Sequence, residues 1–176
     1  MGLRPGRTMS DTNKPSWSRY SRKRPKKSYI KAMPHQDITQ FRMGTMKQDY
    51  NITFRLISQQ DIQIRDNALE SARQAVNKYL EKVMLGNFYF VVRVFPHQVI
   101  RENKMIAGAG ADRLQKGMRQ SFGRATDKAA RVRKMQEVIT IDTYKDKIPF
   151  IQAAIDRALK KLPGAYKLVM EDKAAA

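Results

Sequence analysis

Arg101–Lys134, RENKMIAGAGADRLQKGMRQSFGRATDKAARVRK, is the stretch on which the reading of the fold turns. It lies between two runs rich in branched and aromatic residues, Phe88–Phe95 (FYFVVRVF) and Glu137–Asp142 (EVITID), which suit a pleated, buried surface and predict strands. The stretch itself reads as neither strand nor hairpin turn. Hairpin loops run to about 2–5 residues, and structureless loops beyond about 12–15 inside a compact domain are usually functional or disordered. Ten of its residues are Lys or Arg and three are acids, Glu102, Asp112 and Asp127, so it carries 10 − 3 = +7. Gly108, Gly110, Gly117 and Gly123 let backbone approach a partner closely. Such a segment buries no core of its own and calls for a polyanion, of which nucleic-acid phosphate is the commonest.

Outward from this loop the chain turns periodic. Ile52–Ser58 (ITFRLIS) predicts a strand. Asn67, with Glu70 three residues on, resembles a capping box, and Leu69, Ala72, Val76, Tyr79/Leu80 and Val83 recur at helical spacing, so a helix is expected over 67–85 with Gly86 ending it. Beyond the loop, strand Glu137–Asp142 precedes a helix over 148–161 with Pro149 in its first turn and Ile151, Ala154/Ile155, Ala158/Leu159 and Leu162 on its buried side. Pro163-Gly164 ends it, and Ala165–Met170 makes a last strand. The order β-α-β, long basic loop, β-α-β predicts an α+β fold, a two-layer α/β sandwich with both helices on one face of a mixed sheet. The expected domains are an extended basic arm, 1–49, and a single α/β domain, 50–176, carrying the loop 101–134.

Charge is unevenly spread over the 176 residues. Of the net +19, residues 1–49 supply 12 − 3 = +9, the loop +7, and everything else 13 − 10 = +3, so the folded part is nearly neutral. Pro5, Pro15, Pro25 and Pro34 forbid a long helix in the arm. There Trp17, Tyr20 and Tyr29 are interleaved with Arg19, Arg22, Lys23, Arg24, Lys26 and Lys27, a pattern that stacks unpaired bases on aromatics while cations hold phosphates. The competing reading folds Trp17 back on the domain as a hydrophobic anchor.

Other chemistry finds little support. The chain has no cysteine and only His35 and His97, so it offers neither a disulfide framework, a thiolate metal site nor a histidine cluster, and no cofactor is expected. No run reaches the about 18 apolar residues of a membrane span, and the N-terminus has no signal-peptide core, so a soluble protein that stays inside the cell is expected. Gly108-Ala109-Gly110 starts like a dinucleotide fingerprint, but Arg113 stands where the third glycine belongs, and Gly117 is followed by Met118 where a P-loop needs Lys. Asp112 and Asp127 are expected to tether arginines, and His97, after Pro96, to hydrogen-bond at a strand end. A DNA-binding or chromatin-like protein would share the charge, but no helix-turn-helix, zinc finger or basic zipper is present. A phosphate-handling enzyme would share the glycines but has no base or nucleotide motif.

Asn103-Lys104-Met105, Ala109-Gly110-Ala111-Asp112-Arg113-Leu114-Gln115, Gly117-Met118-Arg119, Phe122-Gly123 and Ala130-Arg131-Val132 closely resemble the large-ribosomal-subunit protein family called L-ten-e in archaea and eukaryotes, the counterpart of bacterial L-sixteen. Arg4-Pro5-Gly6-Arg7 and the segment from Met33-Pro34 to Gly44 are similar to it too. Lack of cysteine and of a long C-terminal extension resembles the archaeal form. The chain departs from the family at Arg124–Ala129, where a Lys-Pro-x-Gly-like turn is usual, while keeping the cation at Arg124. The resemblance implies a hammerhead-type α/β domain and a structural, non-enzymatic protein of the cytoplasmic ribosome. It would bind large-subunit rRNA near the base of the central protuberance beside neighbouring ribosomal proteins, with no membrane partner and no self-oligomer. Its loop would reach toward the tRNA acceptor end and the peptidyl transferase centre. The residues expected to bind rRNA are Arg4, Arg7, Trp17, Arg19, Tyr20, Arg22, Lys23, Arg24, Lys26, Lys27, Lys116, Arg119, Arg124, Lys128, Arg131 and Arg133. Those expected to face tRNA are Lys104, Met105, Gly108, Gly110 and Arg113.

Overall fold

The computed structural model describes residues 4–9, 12, 30, 32–104, 108–110, 113 and 123–173. Among the described residues the strands are β1 (Arg42–Gly44), β2 (Ile52–Ser58), β3 (Ile62–Arg65), β4 (Tyr89–Val92), β5 (Gln98–Glu102), β6 (Arg124–Val132), β7 (Glu137–Thr143) and β8 (Tyr166–Asp172), and the two longer helices are α1 (Asp66–Met84) and α2 (Ile148–Leu159). They build two sheets, five strands in the order β1-β4-β7-β2-β8 and three in the order β3-β6-β5.

The expected α+β sandwich is present, but its sheets are not mixed. Every pairing among the described strands is antiparallel. The reason lies in how the two β-α-β units interlock. β2 and β4 run parallel with β7 between them, and β7 and β8 run parallel with β2 between them, so each helical crossover skips a strand, a split β-α-β arrangement. The small sheet is built from what the connections carry: β3 between β2 and α1, β5 and β6 between β4 and β7.

The core lies between the large sheet and the helices. Alternation puts Phe54 and Leu56 of β2, Phe90 and Val92 of β4, and Ile139 and Ile141 of β7 on one face, where they meet Leu69, Ala72, Val76, Leu80 and Met84 of α1 and Ile151, Ala154, Ile155 and Ala158 of α2. Burying each large apolar side chain contributes about 1.5–3 kcal/mol. The last turn of α1 buries Met84, whereas Val83, which the helical spacing places inside, is 36% exposed.

Three other expectations are corrected. The capping box at Asn67 is absent: α1 starts one residue earlier, and buried Asp66 accepts the amides of Asp37 (3.1 Å) and Asn67 (2.9 Å), while Glu70 turns to Arg73 and Gln74. Burial raises the pKa of Asp66 even against those amide donors. Packing also begins before residue 50, since Ile38 and Met43 enter the core and Arg42–Gly44 pairs with β4. Finally, both ends of the 101–134 stretch are strand: β5 takes Arg101 and Glu102, and β6 takes 124–132, including the segment where the family pattern has a turn. β5 ends at Glu102 and β6 starts at Arg124, so the segment that joins them is shorter than 101–134. Gly86, at φ +75°, does end α1 as its position predicts.

Candidate nucleic-acid interface

The small sheet is what positions the basic loop. β5 and β6 pair from Gln98↔Ala129 to Glu102↔Arg124, with an irregularity between Ile100 and Arg101, so the loop leaves from a two-stranded base held on its far side by β3. Across this sheet runs the N-terminal segment 4–9. The carbonyl of Thr8 takes the backbone N–H of Gln63 (2.8 Å), that of Gly6 takes the Gln63 side-chain amide (3.3 Å), and that of Pro5 takes Arg65 Nη2 (3.5 Å). Arg4 ends the run on β5, its Nε 2.9 Å from Glu102 Oε1. The edge of β3 is thereby paired at Gln63, which is a buried polar residue, as is Gln98 of β5. Asp127 lies 3.5 Å from Arg65, so it tethers an arginine as its position predicts. Burial first, and then the nearby charge of Arg7, lower the pKa of Arg101.

At the loop base a cleft of about 710 Å³ opens between Glu102, Asn103, Lys104, Gly123, Arg124 and Thr126. A second, of about 330 Å³, lies where the 4–9 segment, Arg65 and the first turn of α1 meet Lys160 and Lys161 after α2. Among the described residues no acid lines the second cleft.

The expected interface residues separate into groups. Lys104, Arg113, Arg124 and Arg133 are exposed, as are Gly108 and Gly110. Arg7 is exposed with φ +50°, and Arg4 is engaged by Glu102. Lys128 is half-buried and reaches Gln36 Oε1 at 3.4 Å, and Arg131, also half-buried, stands opposite Gln63 in the β3–β6 ladder. Trp17, Arg19, Tyr20, Arg22, Lys23, Arg24, Lys26, Lys27, Met105, Lys116 and Arg119 lie outside the described residues, as does Asp112. His97 Nδ1 contacts its neighbour's carbonyl, Phe95 O, at 3.0 Å, a strand-end contact. Among the described residues no group of carboxylates or histidines could hold a metal, and no helix is long and apolar enough to cross a membrane.

The profile of the family described as Ribosomal protein L16p/L10e matches residues 17–169. The chain belongs to that family. It is 43% identical to the large ribosomal subunit protein uL16 of Methanococcus aeolicus over 97% of this chain and 95% of that protein. It is 45% identical to the protein of that name from Metallosphaera sedula (97% and 95%) and 42% identical to the one from Thermofilum pendens (97% and 98%). As a member of a ribosomal-protein family it is a structural component and not an enzyme.

Within this L16p/L10e chain, charge counting alone overlooks two things. Lys160 and Lys161 carry no motif, yet a helix end places them at a cleft beside the N-terminal segment. Glu102 hides inside a basic run, and nothing local marks it as the partner of a residue 98 positions away.

Proposed function

We propose that this chain is a structural protein of the large ribosomal subunit that binds rRNA through the basic part of its N-terminal region, ahead of Ile38, and through the cations around its loop. The observation that carries this reading is membership of the L16p/L10e family along nearly the whole chain. Physical support comes from exposed Lys104, Arg113, Arg124, Arg133, Lys160 and Lys161 on a domain whose remaining charge nearly cancels.

The finer reading places the domain, with its hammerhead-type architecture, near the base of the central protuberance beside neighbouring ribosomal proteins in the cytoplasm. The basic loop within 101–134 then reaches toward the tRNA acceptor end and the peptidyl transferase centre. Its fit to that task is physical: Gly108 and Gly110 are exposed, with no described residue within 4 Å of a Cβ built on either. Phosphate contacts would set position, and the small residues would let backbone come near a nucleic acid. The test is sedimentation of the native protein in a salt series. Co-migration with large subunits that persists in moderate salt supports the reading, and release at low salt overturns it.

A further inference from the structure

We propose that Arg4 is a positioning residue: it masks the carboxylate of Glu102 so that the cleft at the loop base can hold an RNA phosphodiester between Lys104 and Arg124. This rests on the rRNA-binding reading above and adds to it a defined anion site and an internal part for the N-terminal segment.

Three observations carry it. Among the described residues the cleft has two cations, Lys104 and Arg124, and one acid, Glu102, on its walls, with Thr126 as a further polar group. An incoming phosphodiester would be repelled by a bare carboxylate set between its two cations. Glu102 is not bare, because Arg4 Nε donates to its Oε1 at 2.9 Å; the Arg4 side chain is 60% exposed and that of Glu102 21%, so the guanidinium covers the carboxylate from the solvent side.

The second observation is that Arg4 is held there. Pro5, Gly6 and Thr8 each give a carbonyl to β3, at Arg65 and Gln63, so the chain just after Arg4 is anchored before the ion pair forms. That lowers the ordering cost that makes most exposed ion pairs worthless.

Third, the cleft is built by a glycine. Gly123 has φ +73°, and a Cβ there would stand 2.9 Å from the Glu102 carbonyl carbon. Gly123 thus lets the start of β6 close on the end of β5, which sets Arg124 directly opposite Glu102 in the ladder. Arg124, the cross-strand neighbour of Glu102, is exposed at the cleft while Arg4 holds the Glu102 carboxylate.

The rival role for Arg4 is direct phosphate contact, as for any arm cation, and a double-mutant cycle separates the two. Affinity of the full chain for purified large-subunit rRNA is measured at one fixed salt for wild type, Arg4→Ala, Glu102→Gln and the double variant, with circular dichroism confirming that each folds. Masking predicts that Arg4→Ala weakens binding about three- to fivefold, the size of an exposed but anchored charge pair. Glu102→Gln binds as tightly as wild type or tighter, and Arg4→Ala has no effect once Glu102 is Gln. Equal loss from Arg4→Ala in both backgrounds would show direct contact and overturn the proposal, as would no loss in either. Lys104→Ala with Arg124→Ala provides a second arm: it should weaken binding and remove the sensitivity to Arg4, and a persisting Arg4 effect counts against the cleft. Failure of wild type itself to bind rRNA would remove the underlying reading, whereas tight wild-type binding without coupling removes this inference alone.

Discussion

Gly123 stands against the backbone of Glu102, with room for no side chain: a Cβ there would lie 2.9 Å from the Glu102 carbonyl carbon, 3.0 Å from its oxygen and 3.1 Å from the Asn103 nitrogen. Its φ of +73° adds a conformation that L residues occupy at a cost. Both obstacles are backbone, so neither moves aside cheaply. Gly123→Ala should therefore destabilise the free protein by about 1–3 kcal/mol. Gly108→Ala, where no described residue lies within 4 Å of the new methyl group, should cost far less. Urea denaturation of the two variants side by side checks this, and equal losses would show that the loop base is not closed on Gly123.

A second prediction concerns pH. On α1, Arg73 Nε donates to Glu70 Oε2 at 2.8 Å and its Nη2 also binds Glu70 Oε1; both side chains are largely buried. The Arg73 hydrogen bond, above all, lowers the Glu70 pKa below its ordinary 4.5. A carboxylate whose folded pKa is depressed adds stability above its unfolded pKa and loses it as pH falls through the folded one. The stability advantage of wild type over Glu70→Gln should thus be full at pH 7, shrink as pH drops below about 4.5, and vanish at lower pH. Melting temperatures of both proteins at pH 7, 5 and 3 test it, and a constant difference would mean that the pair contributes through packing alone.

Which parts of this fold can be read from sequence depends on how much of each element's stability is local. β2, α1, α2 and β7 carry their own periodicity, and their expected positions agree with the structure to within a few residues. The small sheet does not announce itself. Ile62–Arg65 is too short to show alternation, and Arg124–Val132 (RATDKAARV) is charged and alanine-rich, with little of the branched bulk that marks strands. It is a strand because β3 and β5 pair with it on both sides and because Ala129 and Ala130, both buried, fit beneath its neighbours. Tertiary pairing overrides propensity there. In the candidate interface the cations are visible as charge, but their partners are not: Arg4 with Glu102, Arg65 with Asp127 and Lys128 with Gln36 all join distant segments.

Salt dependence supplies a third prediction. The arm and the 101–134 stretch hold 12 + 10 = 22 Lys and Arg. With about ten of them on phosphate, log K for rRNA should fall with log salt at roughly 0.7–0.9 per contact, a slope well above 3. Filter binding between 50 and 300 mM salt measures it. A slope below about 3 would limit the electrostatic interface to a few contacts and contradict a distributed one.

The last prediction separates docking from function at the loop. Gly108 and Gly110 are exposed, no described residue lies within 4 Å of a Cβ built on either, and the carbonyl of Gly110 takes the N–H of Arg113 at 3.1 Å, a local turn. Replacing Met105–Asp112 with a Gly-Ser linker should leave the melting temperature and incorporation into large subunits nearly unchanged, yet slow tRNA accommodation or peptidyl transfer. The docking control must be chosen from the structure. Arg131 is half-buried opposite Gln63 in the β3–β6 ladder, so Arg131→Glu would disturb the sheet itself. Arg133 and Lys134 are exposed in the β6–β7 turn, where their backbone amides bond Gln136 Oε1 (2.9 Å) and Asp61 Oδ1 (2.7 Å) and their side chains are free to change without breaking those bonds. Arg133→Glu with Lys134→Glu should reduce occupancy first and spare folding. Subunits reconstituted with each variant are compared for occupancy and for single-turnover peptidyl transfer. Normal transfer at full occupancy with the linker variant would sink the tRNA-facing role of the tip and leave the chain a clamp on rRNA alone.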